Sequence, residues 1–365
     1  MLRRRLLAAS FAVSLLVTAA CAPGSGGGHG SVGSDDAPPP LSEVTPLDDP
    51  RAWEGGAHAG LGGVEIRPIT DDAAPALPVT VTDAQGTPVT ITSVDRVLAL
   101  DIYGTLSQTV FELGLGESLV GRDVSTQFDE ATDLPLVTSN GHELNAESIL
   151  ALDPTLIITD TSLGPWDVVL QMRDAGIPVV VVDSTRSLEN ISTLTNQVAT
   201  AMGVPDLGVQ LSERIMAETE DVVAQIDAIA PKSQGEKLRT VFLYVRGQAG
   251  VYYMFGEGSG ADDLITSLGL YDVAGEIDWS GMKPVNDEGI IAAQPDLILM
   301  MTKGLESVDG IDGLLDRLPA IANTPAGQNK RIVDMNDSQI LSFGPRTPDI
   351  LNSLAVSIYA PEALK

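Results

Sequence analysis

"NAESILALDPTLII", residues 145–158, and "NDEGIIAAQPDLIL", residues 286–299, decide how this chain is built. Aligned without a gap they agree at seven of fourteen positions: Asn, Glu, Ile, Ala, Pro, Leu and Ile. Each copy reads the same way. An asparagine caps a short helix, a proline bars its continuation, and an apolar run then reads as a buried strand. A weaker echo precedes each copy, "ELGLGESLVG" before the first and "SLGLYDVAG" before the second. Recurrence of one helix–strand unit predicts two related α/β lobes.

Working outward, apolar runs alternate with helical patterns on both sides. "RVLALD" (96–101), "TLIITD" (155–160) and "VVVVD" (179–183) belong with the first copy; "TVFLYV" (240–245), "DLILMM" (296–301) and "RIVDM" (331–335) belong with the second. Unbroken apolar runs suit strands covered on both faces, as in doubly wound, Rossmann-like layers. "LPVTVTDAQGTPVTITS" reads as a hairpin turning at residues 83–86. Between the two sets, Leu207, Leu211, Ile215, Val222, Ile226 and Ile229 keep helical spacing until Pro231 ends it. At about 1.5 Å per residue that helix is some 35–40 Å long, enough to join two lobes. The expected order is a first lobe over 78–203, a bridging helix over 204–233 and a second lobe over 234–365. A ligand cleft should lie between the lobes.

The N-terminus opens with three arginines, an apolar run and small residues leading to Cys21, the one cysteine of the chain. Residues 1–20 read as an export signal, and the pattern resembles a bacterial lipoprotein signal, with Cys21 as the lipid-bearing residue. A single cysteine leaves no internal disulfide framework. Residues 21–77 are rich in Gly, Pro, Ser and Asp without apolar periodicity, and read as a disordered tether. The chain is thus expected outside the cell membrane, anchored to its outer face. A formal charge of −29 repels phosphate backbones, so nucleic acid is not an expected partner. No G-x-S-x-G, Walker or H-E-x-x-H motif points to an enzyme.

"GHELNAESILAL", "FLYVRG", "YYMFGEGSGADDLI", "MTKGLES" and "ILSFGPRTPD" give the chain a family likeness. From about residue 78 onward it resembles the substrate-binding proteins of ABC importers, in the helix-bridged class that carries cobalamin, ferric siderophores and haem. These motifs are most similar to the haem-binding lipoproteins of Gram-positive haem importers. The resemblance implies haem b as the transported ligand and a dimeric permease with its ATPase as partner. Same-fold alternatives are a ferric-siderophore or cobalamin receptor. A haem carrier or sensor without a transporter is a further alternative.

The resemblance also bears on the site. His142 taken alone reads as an exposed loop histidine; the motif match makes it a haem-iron ligand. Strand alternation puts Tyr244 and Arg246 on one face. That is an ordinary strand-edge pair by itself, and beside His142 it reads as a tyrosinate ligand with its supporting cation. Expected apolar walls are Tyr252, Tyr253, Met254, Phe255, Met282, Met300 and Met301. Arg122 and Arg346 are the candidates for the propionates. Glu147 and Glu288, the repeated carboxylates, fit either the positive end of a short helix or docking to the permease, as the resemblance implies.

Overall fold

The structure, a computed structural model, describes residues 31–63, 65–247 and 251–365. The export signal, Cys21 and His29 lie outside the described residues. In the first lobe, Val97–Leu100, Leu156–Thr159 and Val179–Val181 form a parallel sheet in that order. All their residues are buried because both faces are covered. Val97, Ala99, Leu156, Ile158 and Val180 face the core shared with the bridging helix. Leu98, Leu100, Ile157 and Val179 face a second core under the outer helices. The hairpin pairs Val79–Thr82 with Pro88–Ile91, and the Asp83 carboxylate accepts the Gln85 and Thr87 amides at its turn.

The second lobe has a larger, mixed sheet. From one edge its strands are Ser31–Val32, Gly56–His58, Ile332–Met335, Leu297–Met301, Arg239–Arg246, Val251–Phe255 and Met282–Pro284, with Tyr271–Asp272 pairing the start of Arg239–Arg246. The strands from Ser31–Val32 to Arg239–Arg246 are parallel, and the last two neighbours are antiparallel. The two lobes are joined by the helix Pro205–Ile229, about 37 Å long at 1.5 Å per residue. Its Leu211, Ile215 and Ile226 are buried in one core cluster that also takes in residues of both lobes.

The repeated unit folds alike twice. Asn145 caps Ala146–Ala151 by accepting the Ser148 amide at 2.9 Å; Asn286 caps Asp287–Ala293 by accepting the Gly289 amide at 3.0 Å. Past each helix one residue turns left-handed, Asp153 at φ 44° and Gln294 at φ 42°, before the proline and the buried strand.

The expected tether is corrected from residue 31 on. Gly56–His58 is a strand of the second sheet, and Leu41, Ala57, Ala59 and Leu61 are buried in the shared core. Further along, Arg67 grips Glu218 of the bridging helix with two hydrogen bonds, and the Ile69 and Ala76 amides donate to Glu112 and Gly203 in the first lobe. The segment is a strap across both lobes. Its composition misleads because it has no core of its own and borrows one. Small residues let its backbone lie flush: a Cβ on Gly56 would meet Ile311 at 2.4 Å, and one on Gly60 would meet the Ser34 carbonyl at 2.2 Å. His58, read with the low-complexity stretch, is half-buried, its Nδ1 2.7 Å from the buried Asp334 carboxylate and its Nε2 3.1 Å from Asp35.

Candidate functional site

Arg239–Arg246 is the interior strand that presents the tyrosine. Val241, Leu243 and Val245 enter the outer core, while Phe242 and Tyr244 face the core toward the bridging helix, as period-two alternation requires. Near the strand's carboxyl end Tyr244 is half-buried, and Arg246 Nε donates to its hydroxyl at 2.5 Å. The guanidinium also lies 5.5 Å from the Tyr244 ring centroid. Across the antiparallel register Tyr253 stands opposite Tyr244, with ring centroids 6.4 Å apart. This gives a phenol already paired with a cation and flanked by a second aromatic face.

His142 comes from the first lobe. It ends a three-residue loop between Thr138–Ser139 and Glu143–Leu144. Asn140 and Gly141 lead into it at φ 47° and 88°, a left-handed course that these two residue types tolerate. The Leu144 amide donates to the Gly164 carbonyl and holds the hairpin's base, while the imidazole at its tip is exposed. Partial loss of water lowers the His142 pKa, and the positive charges of Lys303 and Arg246 lower it further against the opposing Asp337. Those three charges belong to the second lobe, so His142 faces it. At neutral pH the imidazole keeps a free lone pair, the form that binds iron.

Lys303 and Asp337 are additions that sequence reading missed, although Lys303 stands in the quoted "MTKGLES". The Lys303 amide donates to the Asp337 carboxylate at 2.9 Å. Burial raises the Asp337 pKa, opposed by that hydrogen bond and by the charges of Lys303 and His142. Lys303 opens the helix Thr302–Glu306 directly after the Leu297–Met301 strand, a carboxyl-end position where ligand groups gather in α/β layers.

Several expected wall residues are corrected. Tyr252 pairs with Val245 and packs into the outer core, on the sheet face opposite Tyr244. Met254 and Met300 are fully buried in that same core and touch no ligand space. Phe255 tilts against Phe242 at 4.9 Å in the shared core. Tyr253 and Met301 are on the Tyr244 side, both half-buried, and Met282 is exposed on the edge strand. The expected propionate partners, Arg122 and Arg346, have other contacts in the structure. Arg122 is tied to its own loop through the Thr126 and Thr132 carbonyls at 3.1 and 3.3 Å. Arg346 is 7% exposed and lines a cavity of about 770 Å³ between the strap, the bridging helix and the last helix, beside Asp349. The cations placed around Tyr244 and His142 are instead Arg246 and Lys303.

Where the lobes meet, Arg186 is enclosed with carboxylates at the ends of first-lobe strands, 2.6 Å from Asp160 and 3.2 Å from Asp101. Burial pushes Asp101 up to about 7 and Asp123 up to about 6. This network holds the loop that touches the second lobe, where the Leu188 amide donates to the Asp263 carboxylate.

Among the described residues no group of three or more His, Cys, Asp or Glu is placed to hold a metal ion. A tyrosine and a histidine are two donors, the number iron takes when a porphyrin fills its equatorial plane.

The sequence pattern of the periplasmic binding protein family matches residues 102–338. Among solved structures, heme binding protein HmuT superposes with a TM-score of 0.80 and 41% identity, covering 86% of this chain and 99% of that one. The apo form of the periplasmic heme-binding protein RhuT from Roseiflexus sp. RS-1 gives 0.66 at 35% identity, covering 74% and 99%. An uncharacterised ABC transporter substrate-binding lipoprotein, YvrC of Bacillus subtilis (strain 168), is 23% identical over 292 residues, 79% of this chain and 87% of its own length. By the family match and by its two-lobed α/β fold, this chain belongs to the periplasmic binding protein family.

Proposed function

We propose that this protein captures ferric haem outside the cytoplasmic membrane and delivers it to an ABC permease. The observation that carries the reading is Tyr244, held by Arg246 on a rigid strand, with His142 of the other lobe close enough to feel the charges of Arg246 and Lys303. Phenolate is a hard anionic donor suited to ferric iron, and imidazole completes an axial pair. Tyr253 and Met301 offer apolar contact to the porphyrin, and Lys303 and Arg246 offer charge to its propionates. HmuT supports this: its variants at a tyrosine, at an arginine two residues on and at a histidine have been crystallised, the same residue types and the same tyrosine–arginine spacing. A siderophore or cobalamin has no evident use for this donor pair. The family and its relatives are substrate-binding transport proteins, which supports a carrier and not a catalyst.

Attachment to the membrane falls to acylation of Cys21, in line with the description of YvrC as a lipoprotein. Glu147 and Glu288 are exposed, one per lobe, and among the described residues neither forms a salt bridge; they serve as the docking charges. Haem titration of the purified protein tests the central reading. An intense, saturable Soret band is expected; no band, together with retention of cobalamin or a ferric siderophore, overturns it.

A further inference from the structure

The helices that carry Glu147 and Glu288 share a second exposed feature. Leu150 and Ile291, three residues after each glutamate, are both 47% exposed. They are separated by 141 residues, the spacing of the glutamates and of the capping asparagines. Single exposed apolar residues are ordinary. The pair Leu150 and Ile291 occupies equivalent positions of the internal repeat, and neither capping nor the core requires it. Residues three apart on a helix share a face, with Cβ atoms about 5–6 Å apart. Each lobe therefore presents a carboxylate and an aliphatic side chain side by side, and the repeat gives the molecule two such patches.

We infer that Leu150 and Ile291 are apolar contacts for a two-fold partner, the permease dimer, each entering a hollow beside the basic residue that meets Glu147 or Glu288. This rests on the docking reading of the glutamates and adds the residues that hold the complex once formed. Exposed charges set approach and register, and desolvated apolar anchors set residence time. The two repeated patches match a partner that offers the same surface twice.

The test uses the full-length, haem-loaded receptor and its permease–ATPase complex in nanodiscs. Leu150→Ala with Ile291→Ala should speed dissociation about tenfold or more, with association and its salt dependence unchanged and the Soret spectrum intact. Glu147→Gln with Glu288→Gln should chiefly slow association and flatten its salt dependence. Unchanged dissociation for the Leu150/Ile291 variant, with the glutamate variant impaired, overturns this inference alone. Wild-type kinetics in both variants overturn the docking reading as well.

Discussion

On the proposed function, Tyr244 and His142 would serve one ligand by different means. The tyrosine stands on an eight-residue strand flanked on both sides, its hydroxyl already bonded to Arg246 and its ring beside Tyr253. The histidine stands at the tip of a short hairpin, exposed, and among the described residues none hydrogen-bonds its ring. One donor is preorganised and the other is free to adjust. On the proposed function the difference implies an order: ferric haem would first meet the fixed phenol in the second lobe, and His142 would then close on the opposite face of the iron. A fixed donor holds affinity, because little freedom is lost on binding; a mobile donor gives a step that can be undone when haem is released.

The comparison breaks most readily at the fixed side. Tyr244→Ala should cause the largest loss of ferric-haem affinity in a titration, and Tyr244→Phe should match it, since the ring remains but the anion does not. Equal affinity in both variants and the wild type would remove the distinction between the sites. Arg246→Ala comes next. Loss of a group that orients and charges a metal ligand weakens metal binding about 10–100-fold. The loss should deepen as pH falls, because protons compete with iron for the phenolate. A pH-independent deficit would leave Arg246 its contact to the haem and remove its role as a support of Tyr244.

A smaller effect is expected at His142. His142→Ala should lower affinity less than either change above and speed haem dissociation. Because its pKa is depressed, the neutral ligand form persists below the usual histidine value of about 6.5. The histidine-dependent part of the spectrum should therefore persist to lower pH than an unperturbed imidazole would allow. Its loss above neutrality would contradict the depressed pKa. The smallest effect on haem should come from His58→Ala, which loosens the strap on the second lobe and leaves both ligands in place. Removing a charge-assisted partner from buried Asp334 should destabilise the fold by about 2 kcal/mol in acid. The Asp334 hydrogen bond raises the His58 pKa, with burial opposing it. The stabilisation is thus full below about pH 6.5 and fades as pH rises through the raised value, so variant and wild type should converge in alkali in urea melts.

How much of this was legible in the sequence depends on where each segment finds its order. The 145–158 and 286–299 copies carry caps, stops and apolar runs within fourteen residues, and the two lobes follow from them. The bridging helix shows its stripe over 25 residues, so its start and stop were readable to within a few positions. The strap shows nothing of the kind, because Gly56 and Gly60 are ordered by Ile311 and Ser34, partners far away or themselves irregular. Sheet alternation did place Tyr244 and Arg246 correctly on one face. The same rule, applied across the Tyr244–Tyr253 register, separates Tyr253 from Tyr252 and removes Met254, but the register itself is a tertiary fact. Cations were the least legible. Arg122, Arg346 and Lys303 are all single charges near element ends, and only the packed chain shows that Arg122 binds carbonyls and Arg346 borders a different cavity while Lys303 faces His142.

The central claim is that one iron is held by Tyr244 from the second lobe and His142 from the first. Resonance Raman and absorption spectra of the ferric-haem complexes of wild type, Tyr244→Ala and His142→Ala test it most directly. Tyrosinate bands should appear in the wild type and in His142→Ala and vanish in Tyr244→Ala, while His142→Ala alone should alter the coordination of the opposite axial position. Wild-type spectra and affinity in both variants would contradict the account, and Tyr253, the neighbour on the same face, would be the tyrosine to examine in their place.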